Sequence, residues 1–213
     1  MNKKFFFFLV TATLFAAVLM SCEKDNDEYS SSTPFSGGIS GTIEGECASW
    51  DFVGIWLGER YFVETTSIID GKFTFPSLPT PKSEDLELFI KSEEIPTYFQ
   101  ISDRETKICI LSLLAIKGAV DAYSEMKSIM QVVVASNSIT QIVYYYADRD
   151  VKIKSSYSWT EQGIKHSSEV NMNLQRGWNT VHLIMSGTEE DVLTTTLKNG
   201  VPLSGAVWMY ISP

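Results

Sequence analysis

The chain has very few of the side chains on which enzymatic and metal chemistry depends. Its 213 residues include two histidines and three cysteines. A nucleophilic triad needs a histidine base beside a Ser or Cys nucleophile and an acid, and a zinc site needs several Cys or His ligands at short spacing. Neither His166 nor His182 lies in such a motif. We therefore predict a protein that is not an enzyme and that uses no zinc ion or other cofactor.

A calcium loop of the form Asp-x-Asp-x-Asp-Gly is also missing. Calcium prefers clustered oxygen ligands, and the acidic groups that offer them are Asp148, Asp150 and the run Glu189, Glu190 and Asp191. We interpret these acids as turn formers and solvated loop charges, because Asp and Glu are common in such positions. The sequence predicts no metal site.

Basic residues are few in comparison with acidic ones. The chain has 17 Lys and Arg against 26 Asp and Glu, which gives a formal net charge of −9. A protein of this charge repels the phosphates of nucleic acid and the surface of anionic lipid. The sequence therefore excludes nucleic acid as a partner.

The one long hydrophobic run lies at the start of the chain, at residues 5–20. It follows Lys3 and Lys4 and precedes the small residue Ser21, which is the arrangement of a secretory signal. A membrane-spanning helix needs about 20 apolar residues, and this run is shorter. We expect residues 1–21 to be a signal peptide that is removed, which changes the net charge from −9 to −11 because two lysines are lost.

Cys22, after Leu19, Met20 and Ser21, resembles the bacterial lipobox. The resemblance implies cleavage before Cys22, acylation of its sulfur and amino group, and attachment to the outer membrane. Two or three acyl chains hold a protein on a membrane stably, whereas one chain does not. The alternative is an ordinary signal peptide with a chance cysteine at the cleavage point.

Residues 22–36 are acidic and then rich in Ser, which predicts a disordered tether, because a stretch dominated by charge, Ser and Pro cannot support a core. The acidic cluster at residues 23–28 resembles the surface-export signal of Bacteroidota lipoproteins, which implies a location on the cell surface. The alternative is a solvated linker with no signal in it, on a protein that faces the periplasm.

From residue 37 onward, short apolar segments alternate with turn residues, which predicts an all-β fold. We expect a first β-sandwich over residues 37–118 and a second over residues 119–213. The apolar run at 107–117 predicts one buried strand, and residues 120–130 fit either a short amphipathic helix or an extended linker. The predicted strands lie at residues 39–44, 53–57, 72–75, 86–90, 130–134, 139–146, 151–157, 170–174, 178–185, 192–197 and 207–211.

Residues 38–45 and 70–79 resemble the carboxypeptidase-regulatory or transthyretin-like β-sandwich modules of secreted bacterial proteins. The resemblance implies that 38–45 is an opening strand and that Phe73 and Phe75, after Asp70 and Gly71, point inward. It implies a scaffold and brings no active site. An Asp-Gly pair before an alternating strand is also a general signal for a β-hairpin.

Residues 144–154 and 174–181 resemble segments of uncharacterised lipoproteins from gut Bacteroidota, most distinctively in the Leu-x-x-Gly-Trp-Asn stretch. The resemblance implies a surface or periplasmic lipoprotein and no known activity. In this stretch, Gly177 permits the positive φ of a tight turn, and we expect Trp178 to start the next strand facing the core.

If Cys22 carries lipid, Cys47 and Cys109 remain as the other two cysteines. In an exported protein they can form a disulfide, but Cys109 lies in an apolar run where a buried free thiol is equally suitable. The sequence leaves both possibilities open.

The candidate binding residues are exposed aromatic planes of the kind that carbohydrate sites use. They are Trp50, Tyr157 and Trp159, and Trp159 is the strongest because it lies near a predicted hairpin tip. We interpret Trp56, Trp178 and Trp208 as core residues. His166 falls in a predicted polar loop at 162–169, and His182 falls within a predicted strand.

Three functions follow from these observations. The first is a surface-exposed, non-catalytic binding or adhesion module for a glycan or protein ligand. The second is a structural or accessory subunit of a cell-envelope assembly, which uses sheet edges to reach its partner. The third, a small hydrolase with an unfamiliar site, has the least support because histidines are so few.

Overall fold

The computed structural model describes residues 34–58, 62–91, 96–119, 125–161, 163–187 and 192–210. Their regular structure consists of fifteen β-strands and two short 3₁₀ segments, Glu46–Ser49 and Ser83–Asp85. The prediction of an all-β protein is confirmed. The predicted leader, Cys22 and most of the predicted tether lie outside the described residues.

Eight strands come from the first half of the chain, and they include every strand predicted there. The run at 107–117, predicted as one strand, is instead two, because the chain changes partner strands at Leu111. The strands are β1 (Ile39–Glu44), β2 (Phe52–Trp56), β3 (Phe62–Ser67), β4 (Lys72–Phe75), β5 (Glu87–Leu88), β6 (Phe99–Ile101), β7 (Lys107–Ile110) and β8 (Ser112–Lys117).

The turn before β4 is a two-residue hairpin. Ile69 and Lys72 exchange both backbone hydrogen bonds, and the residues between them, Asp70 and Gly71, have φ of 51° and 72°. Two positive φ values match the twist of the flanking segments, which is why Asp-Gly is favoured here. The two phenylalanines of β4 that were expected to point inward are both buried.

The second half contains seven strands, at all the positions predicted from the sequence. The two at 151–157 and 170–174 are longer than predicted, and they meet at a hairpin near residue 162. Residues 125–130, predicted as helix or linker, belong to a strand. The strands are β9 (Glu125–Val134), β10 (Ser138–Ala147), β11 (Val151–Glu161), β12 (Ile164–Leu174), β13 (Gly177–Gly187), β14 (Val192–Asn199) and β15 (Val207–Tyr210).

One continuous path of paired strands links the two halves, in the order β3-β2-β8-β9-β10-β13-β14-β12-β11-β6. Pairs between β8 and β9, between β7 and β10 and between β1 and β15 all cross the predicted boundary at residues 118 and 119. The prediction of two separate sandwiches is therefore not confirmed. The strands form a single open sheet network.

The part of the sheet from β10 to β11 is curled. In the pairing order these two strands are four spacings apart, which is about 19 Å in a flat sheet. Ala147 ends β10 and Val151 begins β11, and four residues of chain reach at most about 14 Å. The sheet must therefore bend to bring the two strands back towards each other.

The curl separates two hydrophobic cores on opposite faces of the same strands. Adjacent residues of β10 show this, because Tyr144 belongs to the first core and Tyr145 to the second. The second core also contains Ala147, Val151 and Ile153, from the two strands that the curl brings together. We call the face towards the second core the inner face of the sheet and the opposite face the outer face.

The two cysteines are free thiols, and both lie in the first core. Burial raises the pKa of Cys109 to about 11, and burial is also the main cause of the raised pKa of Cys47. A thiol with a raised pKa is a poor nucleophile at neutral pH. The structure therefore shows the buried-thiol alternative and not the disulfide.

Candidate functional site

The inner face continues beyond the second core, towards the tips of the long hairpins. The strand register places ten positions there in two rows that cross the sheet, and we call them together the distal inner face. The first row is Val134, Ile139, Met185, Thr195, Ser168 and Tyr157, and the second is Gly187, Leu193, His166 and Trp159.

Four aliphatic side chains on this face are exposed. The exposed fractions are 65% for Val134, 39% for Ile139, 41% for Met185 and 45% for Leu193. Single exposed apolar residues are normal on a protein surface, whereas large contiguous apolar patches are typical of interaction sites. These four residues lie in adjacent or diagonal positions of the register.

The other end of the distal inner face carries aromatic rings that contact one another. The ring centroids of Tyr157 and Trp159 are 5.2 Å apart with nearly parallel planes, and those of Trp159 and His166 are 4.8 Å apart. Tyr98, just before β6, extends the group with its ring 5.0 Å from that of Tyr157. All four rings are half-buried. Mutual contact fixes their orientation, and such pairs stabilise by about 0.5–1.5 kcal/mol each.

The phenol of Tyr157 lies between the buried part of the inner face and its solvent-exposed part. Burial raises the pKa of Tyr157 above its ordinary value, and the neighbouring Ser168 hydroxyl offsets part of that rise. The phenol stays protonated at neutral pH and can donate or accept a hydrogen bond. It places one neutral polar group beside the rings.

The outer face of the same strands has the opposite chemistry. Ser167 Oγ donates a hydrogen bond of 2.9 Å to Thr194 Oγ1, and both belong to a row made only of hydroxyl residues. The full row across five strands is Ser138, Ser186, Thr194, Ser167 and Ser158.

Two of the three predicted binding residues, Tyr157 and Trp159, lie together on the distal inner face. Trp50 does not, because it is buried in the first core with an exposed fraction of 6%. The ammonium of Lys127 lies 5.4 Å from the centre of its ring and also forms an ion pair with Glu46. These contacts give Trp50 a packing role.

The three tryptophans expected in the core are placed as follows. Trp178 and Trp208 are buried in the first core, as predicted. Trp56 is only half-buried, with its ring packed edge-on against Phe62 of β3.

His166 was predicted in a polar loop and lies instead within β12, where it pairs with Trp159. The strand was not predicted from the sequence because the residues around His166 are polar. In the structure, residues 164–174 pair regularly with β11 on one side and β14 on the other. The sequence also did not identify Ile139, Met185 and Leu193 as exposed surface residues, because they lie within predicted strands. Their signal in the sequence is the period of two along each strand, which assigns residues to a face but does not say where the cover over that face ends.

His182 lies within β13 and its ring is enclosed by the protein. It is buried, with Nε2 2.8 Å from the carbonyl oxygen of Val201, and its ring packs against Gly200 so closely that a Cβ there would lie 2.2 Å from it. It shares the outer face with Trp178 and Thr180. A ring held in this way acts as a core residue.

The acidic candidates for calcium stabilise turns. Asp148 Oδ1 accepts a hydrogen bond of 2.9 Å from the backbone N–H of Lys107, and Asp150 Oδ1 accepts one of 2.8 Å from that of Arg176. Within the described ranges no group of three or more His, Cys, Asp or Glu residues is placed to hold a metal ion. The run at residues 189–191 lies outside those ranges.

No helix in the described part of the chain is both long and apolar enough to cross a membrane. Searches of family models, of curated proteins and of solved structures give no match to this chain.

Proposed function

We propose that this chain is a lipid-anchored, surface-exposed protein of the outer membrane, whose β-fold is a non-catalytic binding module. The observation that carries the proposal is the distal inner face, where aliphatic side chains are exposed in register beside half-buried aromatic rings. Apolar surface of this kind is stabilised when a ligand or partner removes it from water. The face is the binding surface of the module.

The lipobox at Cys22 supports the anchor, and the tether supports a reach away from the membrane. The 13 residues from Cys22 to Pro34, which their composition predicts to be flexible, would have a mean end-to-end distance of about 20 Å, and the next residue, Phe35, is held by the folded part through a hydrogen bond to Trp178. This length lets the folded part rotate freely above the bilayer, so that the distal inner face meets molecules in solution.

The first test concerns location. Intact and lysed cells are treated with protease after labelling with a fatty-acid precursor, and a Cys22→Ala variant serves as the control. Digestion on intact cells, with loss of label in Cys22→Ala, supports the surface lipoprotein. Protection until lysis would contradict the surface location.

The second test concerns binding. The chain, a Trp159→Ala variant and a Ser158→Ala variant are compared on glycan arrays and on immobilised matrix proteins. Ser158 is the matched control because it is the neighbour of Trp159 on the outer face. A ligand that is lost in Trp159→Ala and kept in Ser158→Ala supports the proposed surface, and equal loss in both variants contradicts it.

A structural or accessory subunit of an envelope assembly is the second candidate, and β3 favours it. β3 ends the path of paired strands, and in the described residues it pairs with β2 alone. An edge strand of this kind accepts a further strand from a partner. A photoreactive cross-linker at Glu64 on intact cells should capture a single partner if this candidate is correct, and none if it is wrong.

The resemblance of the first half to carboxypeptidase-regulatory sandwiches remains part of the proposal. Its support is the antiparallel pairing of β1 with β4 and the burial of Phe73 and Phe75. An experimental structure that shows two facing layers around these phenylalanines is the test.

A further inference from the structure

The distal inner face carries no formal charge at any of its ten positions. About a fifth of the whole chain is charged, so two charged residues are expected among ten average positions. The lysines of β11 and β12, Lys152, Lys154 and Lys165, fall on the outer face because they alternate with inner positions. Among the described residues, the charged one that follows next on the inner side is Glu161, opposite Ile164.

This charge distribution selects against anionic ligands. A carboxylate, phosphate or sulfate on the face would find no Lys or Arg within the ten positions to replace its hydration. It would instead meet the carboxylate of Glu161 and the field of a chain with net charge −9. Fatty acids and phospholipid headgroups are therefore poor ligands for this surface.

The arrangement of the rings selects against stacking of a sugar on Trp159. The indole already contacts the rings of Tyr157 and His166 in nearly parallel orientation, so part of its π surface is occupied from within the protein. The exposed remainder of the face is aliphatic, at Ile139, Met185 and Leu193. Aliphatic carbon gives a sugar hydroxyl no hydrogen bond and excludes the water that it needs.

The remaining chemistry fits a small hydrophobic molecule. Small-molecule sites are concave and mostly apolar, with a few polar groups that orient the ligand. The inner face lies on the inside of a curled sheet, and the hydroxyl groups of Tyr157, Ser168 and Thr195 lie beside its carbon surface, with the His166 ring next to them. Burial of apolar area stabilises the bound state, and a hydroxyl or carbonyl on the ligand pairs with these groups.

We propose that the distal inner face binds a small, uncharged hydrophobic molecule with an aromatic or branched hydrocarbon body, seated across Ile139, Met185, Leu193 and Trp159. The inference rests on the proposed function, because it assigns a ligand class to the same surface. It goes beyond that function by excluding acids and sugars in favour of neutral apolar compounds.

The test uses two dyes that share one aromatic body and differ in one sulfonate. N-phenyl-1-naphthylamine is neutral, and 1-anilinonaphthalene-8-sulfonate is anionic. The protein is the mature chain, residues 22–213 with Cys22→Ala, because acyl chains would themselves dissolve the dye. We expect the neutral dye to bind at least tenfold more tightly than the anionic one, and equal affinities would overturn the inference.

Substitutions locate the site. Leu193→Asp and Met185→Asp should each weaken binding of the neutral dye at least tenfold, while Val201→Asp, at an exposed apolar residue elsewhere, should change it less than twofold. Leu193→Arg should reverse the preference in favour of the anionic dye. Trp159→Phe should reduce energy transfer from tryptophan to dye. Unchanged binding in both Leu193→Asp and Met185→Asp would overturn the inference.

The outcome is separable from that of the proposed function. If neither dye binds but an array ligand is lost in Trp159→Ala, the inference fails and the binding module stands. If the neutral dye binds at Leu193 but no array ligand depends on Trp159, the ligand class is supported and the glycan or matrix-binding form of the proposed function fails.

Discussion

The two faces of the sheet differ in the polarity of their side chains near the tip of the β11–β12 hairpin and in the neighbouring strands. On the outer side, five hydroxyl residues cross the sheet in one row, and on the inner side the rows carry Ile139, Met185, Leu193 and Trp159. A hydroxyl loses little by facing water, whereas exposed apolar carbon gives up about 25 cal/mol for each Å² left uncovered. The inner face is therefore the side on which a bound molecule stabilises the protein most.

A second difference lies along the inner face itself. At the C-terminal end of β10 and the N-terminal end of β11, the inner face is covered by partly buried residues of β6 and β7, among them Phe99, Ile101, Ile108 and Ile110. β6 pairs with β11 over only three residues, Phe99–Ile101. Beyond that segment, towards the hairpin tips, apolar residues of the inner face are exposed. Strand alternation sets which face is apolar, but the length of the covering strands sets which part of that face is core.

The largest effect is expected where the inner face is fully covered. Leu174 is buried in the second core, and Leu174→Ala should lower the free energy of unfolding by about 2–5 kcal/mol, because it removes methyl contacts and leaves a cavity. Glu169→Ala, at an exposed outer position of the same strand, should stay within about 0.5 kcal/mol. Urea titrations at neutral pH measure both, and similar values for the two would refute the assignment of faces.

A smaller effect is expected at the aromatic end of the distal inner face. Trp159→Ala removes the ring contacts with Tyr157 and His166 and should cost about 2 kcal/mol, since each aromatic pair contributes about 0.5–1.5 kcal/mol. Ser158→Ala, one residue away on the outer face, should cost less than about 0.5 kcal/mol. A cost for Trp159→Ala near zero would show that the rings do not hold one another in place.

Two neighbouring tyrosines of β10, one in each core, allow the two cores to be compared through the dependence of stability on pH. Burial raises the pKa of both Tyr144 and Tyr145 to about 12, while a tyrosine in the unfolded chain has a pKa of about 10. Between pH 10 and 12 the unfolded chain loses protons that the folded chain keeps, so stability falls as pH rises. Each tyrosine contributes about 1.4 kcal/mol per pH unit to that fall.

Phenylalanine variants separate the two contributions. Tyr145→Phe should make stability fall less steeply above pH 10, with little change at pH 8. Tyr144→Phe should reduce the slope similarly but cost about 1 kcal/mol at pH 8, because the Tyr144 hydroxyl donates to Oε1 of Gln131. Denaturant midpoints at pH 8, 10 and 11 measure this, and an unchanged slope in Tyr145→Phe would mean that the second core is wet.

The strand segments and the Asp70–Gly71 hairpin could be predicted because their signals are local. Alternation along β10 and β13 and the positive φ that Asp-Gly tolerates are written in adjacent residues. The link between the two halves could not be predicted, because the pairing of β8 with β9 and of β1 with β15 depends on register between distant segments. A strand pattern identifies a strand but not its partner.

The candidate site shows the same limit. Trp159 and Tyr157 stood out because large aromatic residues near a turn are conspicuous, and both lie on the distal inner face. His166 was missed because its strand is mostly polar, and Trp50 was included although it is buried. The exposure of a ring depends on which segments cover it, and that is a property of the whole fold.

The smallest effect on stability is expected at Leu193. This residue gives the clearest comparison between the exposed part of the inner face and the covered core. Leu193→Gln keeps the size of a side chain that is already largely exposed, so the free energy of unfolding should change by less than about 0.5 kcal/mol. Thr194→Val, its neighbour on the outer face, breaks the hydrogen bond from Ser167 and should also stay small because the site is partly solvated.

Thermal unfolding of the two variants beside the unaltered chain measures these effects. A loss above about 1 kcal/mol for Leu193→Gln would mean that the distal inner face contributes to folding as the covered core does. A near-zero loss means that Leu193 is exposed without stabilising the folded chain. Its apolar carbon then contributes free energy only when another molecule covers it.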